Sequence, residues 1–416
     1  MYKRQGQYRL VNSGLVAASH ADFAGAAQVS HPATETVFAE FVDATGPWNA
    51  IHFNSLEGLP AGVLASRARW PRTRFVLSLH NYYPVCPQVN LWHFESSACE
   101  DFQGGARCVT CLPVQADPRA VRLAYAVDTL LTRVRLGPGT APHDHVFRPA
   151  MGLAWRLLRR LRRRDAPRPR PSGAQGFGLR RALMVALINA HVDAVLCVSD
   201  RVAQIARHYG LRADRLQVMP IGTKAAACWP DTVAKPALNT DPLRLAYLGY
   251  MRRDKGFVFL IEALAALPDA TLARLHLTIG ARRGEAAMMD ALTALRPRLA
   301  GLVHVDGYAP GDLDRVLDGV DLGVIPVLWE DNLPQVAVEM HARHIPLLTS
   351  DRGGARELGN SPDFVFRAGD RADFARVLGR VLDGTLTPAD YWRGAVPPVG
   401  MDDHLDALLA LYAGPQ

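Results

Sequence analysis

The chain has 416 residues, 49% of them apolar and 21% charged, with a formal net charge of +7. That length and apolar content exclude a disordered chain and exceed what one core usually holds, so two packed domains are expected. Six cysteines in a chain this long do not read as a secreted disulfide framework, and no apolar run reaches the roughly 18 residues of a spanning helix.

The opening Met1-Tyr2-Lys3-Arg4-Gln5 is what a common sequencing-library adaptor encodes when read from a GTG start, and it is read as an assembly scar. The first patterns of buried strands fall at Ala50–Phe53 and Phe75–Leu79. They leave too little upstream chain for the opening strand and glycine-rich loop of a complete Rossmann-like half, so the N-terminal domain is expected to be incomplete. His80 follows the second strand. The irregular stretch beyond it holds Cys86, Cys99, Cys108 and Cys111, with gaps of twelve, eight and two residues. Only the last gap is zinc-like, so a structural zinc and plain thiols are both open readings.

The positive charge is local. From Met151 to Ala182 there are ten arginines against the single acid Asp165, an excess of nine that is larger than the surplus of the whole chain. Within it, Trp155 to Arg164 interleaves apolar and cationic residues before Pro167, Pro169 and Pro171. This reads either as an interfacial helix on an anionic membrane surface or as a solvated basic loop. The remainder is close to neutral and the run holds one aromatic, Trp155, too few for a base-stacking platform, so no nucleic-acid partner is expected. A cytoplasmic protein, in the first of those readings peripheral at the inner face of the cell membrane, follows.

Further strands are expected at Ala194–Val198 and Leu216–Ile221, with Ser199 as N-cap of a helix Asp200–Tyr209 closed by Gly210. A loose stretch with Pro230, Pro236 and Asn239 reads as a linker. Beyond it, strands at Leu243–Leu248, Leu275–Ile279, Leu302–Val305, Leu322–Pro326, Pro346–Thr349 and Phe364–Phe366 alternate with helical segments such as Phe257–Leu267 and Leu313–Leu317. That alternation calls for a parallel sheet covered on both faces. Asp402–Tyr412, with Leu405, Leu408, Leu409 and Leu411 at helical spacing, reads as a packed terminal helix.

The most informative segment is Trp329-Glu330-Asp331-Asn332-Leu333-Pro334 through Glu339. A buried strand ending in an acidic turn, with Pro334 at a helix start, gathers carboxylates and backbone N–H groups at the carboxyl edge of a sheet, where open α/β proteins bind ligands. A sugar nucleotide suits that combination. A P-loop is excluded at Gly249–Gly256 by its glycine spacing.

These segments resemble the family-4 retaining glycosyltransferases of GT-B architecture, the glycosyl transferases group 1. The likeness runs from about residue 47 to the C-terminus. It is carried by the order and spacing of Leu79-His80-Asn81-Tyr82-Tyr83, Val198-Ser199, Gly249 to Gly256, Trp329 to Glu339, and Ser350-Asp351-Arg352-Gly353-Gly354-Ala355-Arg356-Glu357. It implies an α/β fold of two Rossmann-like domains facing across a cleft. Residues 1–220 would form the acceptor side with 151–182 as a basic insertion, 221–242 the linker, 243–388 the donor-binding domain and 389–416 a C-terminal helical segment.

The family's paired acids are separated by seven residues, a spacing matched by Asp331 and Glu339, with Asp where Glu is usual. The resemblance puts Asp331 on the donor sugar and Glu339 on the nucleotide ribose. A carboxylate suits vicinal hydroxyls, each charged hydrogen bond being worth about 1.5–3 kcal/mol. Glu330, one residue out of register, joins the donor-binding set with Gly249, and Asn332 and Leu333 would offer backbone N–H groups. Family members usually carry Arg directly after Gly249 and Lys five positions on. Lys255 matches, but Tyr250 stands at the Arg position, so Arg252 or Arg253 is expected to complete the diphosphate clamp. His80-Asn81 matches a step that faces the donor sugar.

The implied activity moves a sugar from a nucleoside-diphosphate sugar to the hydroxyl of a glycan or lipid-linked acceptor, with retained configuration and no cofactor required for catalysis. Arginine dominance, 43 against four lysines, points to a GC-rich bacterial genome; together with the basic segment, the resemblance then implies surface polysaccharide or glycolipid assembly. An inactive or sugar-nucleotide-binding GT-B protein, and a GT-B sugar-nucleotide epimerase, are the alternatives.

Overall fold

The computed structural model describes residues 28–94, 96–111, 173–231, 234 and 237–414, with scattered positions from 123 to 153. The opening five residues, the rest of the upstream chain to residue 27, expected to be too short for an opening strand, and residues 154–172 of the basic segment lie outside the described residues.

The chain divides into two compact units. The first takes residues up to Pro47, Leu56–Ser66 and Phe102–Leu187. Its helix Pro32–Thr45 begins with a proline whose missing N–H costs nothing there, and His31 caps it by accepting from Thr34 N at 3.3 Å. Arg180 is buried against the Gln28 side chain, and Arg181 lies 3.4 Å over the Phe102 ring.

The second unit takes Trp48–Ser55, Arg67–Asp101 and Ile188–Gln416, and holds both major sheets. The strands are β1 Ala50–Phe53, β2 Arg74–Leu79, β3 Trp92–His93, β4 Ser97–Ala98, β5 Ala194–Cys197, β6 Leu216–Val218, β7 Leu243–Tyr250, β8 Leu275–Arg282, β9 Gly301–Val305, β10 Leu322–Ile325, β11 Leu347–Ser350 and β12 Val365–Phe366. One sheet runs β1-β2-β5-β6 and the other β12-β11-β10-β7-β8-β9, all parallel, while β3 and β4 form a small antiparallel hairpin.

The central strands are largely apolar because both faces are covered: Phe75, Val76 and Leu77 in β2, and Leu243, Leu245 and Ala246 in β7, are no more than 1% exposed. The change of sheet falls between Val218 and Leu243. The stretch between, expected to be loose, contains the 3-10 turn Lys224–Asp231, and Trp229 stacks on His344 with ring centroids 3.9 Å apart. The terminal helix Met401–Ala413 differs from expectation in its packing: Leu409 is 62% exposed, and Leu405, Leu408 and Leu411 are half-buried. It is tied down by Tyr412, whose hydroxyl lies 2.6 Å from His52 Nδ1 on β1. Among the described residues no helix is long and apolar enough to cross a membrane.

Candidate functional site

Parallel strands point their carboxyl ends in one direction, so the turns after β7 and β10, neighbours in the sheet, meet at one edge. Near its end β7 passes Gly249, at φ 137°, and beyond Tyr250 the chain turns through to Lys255. Gly256 closes the turn at φ 75°, where an added Cβ would strike the Pro326 carbonyl oxygen. Only glycine permits both that conformation and that approach of the β10 chain. The helix Phe257–Ala265 follows.

Within this turn Arg252 forks onto Asp254, Nε to Oδ1 at 2.9 Å and Nη2 to Oδ2 at 2.8 Å. Asp254 is buried, whereas Tyr250, Arg252 and Arg253 are exposed. Lys255 reaches the other turn: its Nζ donates to Asp331 Oδ2 at 2.6 Å and lies 4.8 Å over the Trp329 ring. The expected diphosphate cation and the expected sugar acid are thus ion-paired. Burial raises the Asp331 carboxyl pKa, and Lys255 opposes that shift.

Glu330 stands differently from its expectation as a donor ligand. Its carboxylate accepts from Arg201 Nε at 2.9 Å and Nη2 at 2.6 Å, from Arg352 Nη1 at 3.1 Å and from Gly353 N at 3.1 Å. Burial works to raise its pKa, but Arg201, then the Gly353 N–H and Arg352, outweigh it and leave the pKa below the ordinary value. A carboxylate with those four donors is a strut, because each of its oxygens is already engaged. The physical reason is its burial, 5% exposed, which demands partners.

The same turn joins the two sheets. Asn332 donates from Nδ2 to the Leu79 carbonyl at 2.9 Å, and its own carbonyl accepts from Ser199 Oγ at 2.7 Å. Ser199 is also the N-cap foreseen for the helix Asp200–His208, accepting from Val202 N at 3.3 Å. The first two N–H groups of that helix donate to Glu357, from Asp200 at 2.8 Å and Arg201 at 2.7 Å. Leu333 is buried beside Pro334, which precedes the helix Gln335–His341.

Glu339, on that helix, accepts from Thr223 Oγ1 at 2.8 Å and from Arg343 Nη1 at 2.7 Å. Tyr308 lies within electrostatic reach of Tyr250 and Glu339; burial, then these two, raise its pKa. His80, at the end of β2, has an exposed surface, yet partial desolvation and then the nearby His404 lower its pKa below the ordinary histidine value.

Sequence reasoning missed Arg201, Arg343, Thr223 and Tyr308; for Arg201 the signal was a buried acid requiring a cation. The cysteines give no ligand set: among the described residues no three His, Cys, Asp or Glu side chains are gathered to hold a metal ion. Cys86 and Cys99 belong to one unit and Cys108 and Cys111 to the other.

Residues 242–384 match the family model for glycosyl transferases group 1. This stretch is a glycosyl transferases group 1 domain. It contains both turns and every residue expected at the donor except His80. Solved structures share the GT-B arrangement across most of the chain. The N-terminal domain of a Candida albicans trehalose-6-phosphate phosphatase is 8% identical at a TM-score of 0.53, covering 91% of this chain and 73% of that one. Anabaena Alr3699/HepE, solved in complex with UDP-glucose, is 14% identical at 0.51, covering 90% and 82%. A UDP-forming α,α-trehalose-phosphate synthase from Burkholderia xenovorans is 14% identical at 0.51, covering 92% and 77%. No curated protein sequence matches. The group 1 domain and the GT-B fold together support glycosyl transfer from a nucleotide sugar.

Proposed function

We propose that this protein is a retaining glycosyltransferase that moves a sugar from a nucleoside-diphosphate sugar to an acceptor hydroxyl. The observation that carries it is the convergence of Lys255 and Asp331, 2.6 Å apart at the ends of adjacent strands, within the matched group 1 domain. An arriving diphosphate competes with Asp331 for Lys255. With Arg252 or Arg253 from the exposed turn, Lys255 then stabilises negative charge as it grows on the leaving group. Asp331 takes sugar hydroxyls, Glu339 the ribose, and the backbone N–H groups of Asn332 and Leu333 support the donor. Glu330 is assigned to holding the turn. His80, neutral above its lowered pKa, faces the reacting sugar, and the acceptor attacks from the same face, assisted by the leaving phosphate oxygen. No cofactor enters this scheme.

The basic segment and the arginine-rich composition support a glycan or lipid-linked acceptor in bacterial surface polysaccharide or glycolipid assembly at the inner face of the membrane. The test is incubation of the purified full chain with UDP-glucose first, since a structural neighbour was solved with it, then with a wider panel of nucleotide sugars. Hydrolysis or transfer is expected. Binding without turnover would instead make the chain a sugar-nucleotide-binding protein, and interconversion of the sugar an epimerase.

A further inference from the structure

Three enclosed polar atoms around the Trp329–Asn332 turn have no hydrogen-bond partner among the described residues: Tyr82 Oη, Trp329 Nε1 and Asn332 Oδ1. Their residues are only 3%, 9% and 5% exposed. Buried polar groups are nearly always paired, so three unpaired ones in one neighbourhood call for a cause. They do share a neighbourhood. Asn332 donates its amide to the Leu79 carbonyl, three residues before Tyr82, and Trp329 lies under the Lys255 ammonium that holds Asp331. Burial, then Glu330 and then Asp331, raise the Tyr82 pKa well above the ordinary phenol value, so the phenol keeps its proton and stays a donor.

The chemistry of the vacant partners is specific. The indole N–H only donates, the amide oxygen only accepts, and the phenol does both. An alcohol hydroxyl, itself donor and acceptor, is a chemical match for each of the three. A phosphate does not suit the place, because the Glu330 and Asp331 carboxylates lie within electrostatic reach of Tyr82. A metal ion does not suit it either, since Glu330 is held by two arginines and Asp331 by Lys255.

We propose that Tyr82, Trp329 and Asn332 form a buried subsite that reads hydroxyls of the transferred sugar, with Tyr82 the residue that sets which sugar is accepted. This rests on the reading that the chain handles a nucleoside-diphosphate sugar. A site built to bond a hydroxyl discriminates strongly against a ligand that lacks it, because its own groups are then left unpaired.

The test compares calorimetric affinities of UDP-glucose, UDP-galactose and GDP-mannose with those of UDP and GDP, for wild type and Tyr82→Phe. The expected result is that Tyr82→Phe lowers the preference for the best nucleotide sugar over its bare diphosphate by about tenfold, leaves the diphosphate affinity unchanged, and narrows the gap between sugars. Thermal unfolding checks that the variant folds, and Trp329→Phe makes the same measurement if it does not. An unchanged preference in the folded variant overturns the subsite alone, since an enclosed water would explain the unpaired atoms equally well. Wild type that binds none of the five overturns the proposed function, and the subsite with it.

Discussion

The turns after β7 and β10 belong to adjacent strands, yet they treat charge in opposite ways. After β7, Tyr250 is 65% exposed and Arg252 and Arg253 face solvent; after β10, Glu330, Asp331 and Asn332 are 5–6% exposed. Arg253 is stabilised by water and costs little while it waits for an anion, whereas Arg252 already forks onto the buried Asp254. Buried acids must be paired by the protein itself, so their partners become part of the fold. The two acids then diverge. Glu330 has two arginines and a backbone N–H, and its pKa falls; Asp331 has one lysine, and burial raises its pKa.

The sharpest way to break this contrast is Lys255→Ala, expected to reduce turnover by about 10²–10³-fold if the lysine stabilises a departing diphosphate. Cys108→Ala should stay near wild type, and equal losses in steady-state assays would remove the diphosphate role. Next in size, Glu330→Gln leaves Arg201 and Arg352 beside a neutral amide and should cost about 3 kcal/mol in urea unfolding. Arg253→Ala, in the exposed turn, should cost no more than about 0.5 kcal/mol. Similar costs would show that the buried acid is not a strut.

A smaller effect concerns pH. His341 is fully buried behind the Gln335–His341 helix face, with Nδ1 2.8 Å from Tyr391 Oη and Nε2 2.9 Å from the Val396 carbonyl, and burial lowers its pKa to about 4. Its folded value lies below its unfolded one, so its contribution is whole above about pH 6.5 and is lost as pH falls toward 4. Wild type should lose about 2 kcal/mol of stability between pH 7.5 and pH 5 from this group. His341→Gln should flatten that part of the curve, and an unchanged curve would place the acid sensitivity elsewhere.

Much of the fold was legible because short, predominantly aliphatic runs between glycines and prolines mark buried parallel strands. From β7 to β11, expected and observed strands differ by no more than three residues at either end. The terminal helix was legible in period but not in depth, since four leucines at helical spacing do not reveal how much surface is available to cover them. Lys255 and Asp331 were each recognisable from spacing, but their pairing across 76 residues was not. Arg201 pairs with Glu330 across 129 residues, and among 43 arginines nothing local distinguished it. Tyr82 lay inside a recognised segment, yet an unpaired phenol is a property of packing and leaves no trace in sequence.

Glu357 carries one last consequence. By gripping the opening N–H groups of the helix Asp200–His208, this carboxylate acts as a resident anion at an electropositive terminus. A phosphorylated visitor would have to evict a ligand tethered at two points, so that terminus is insulated.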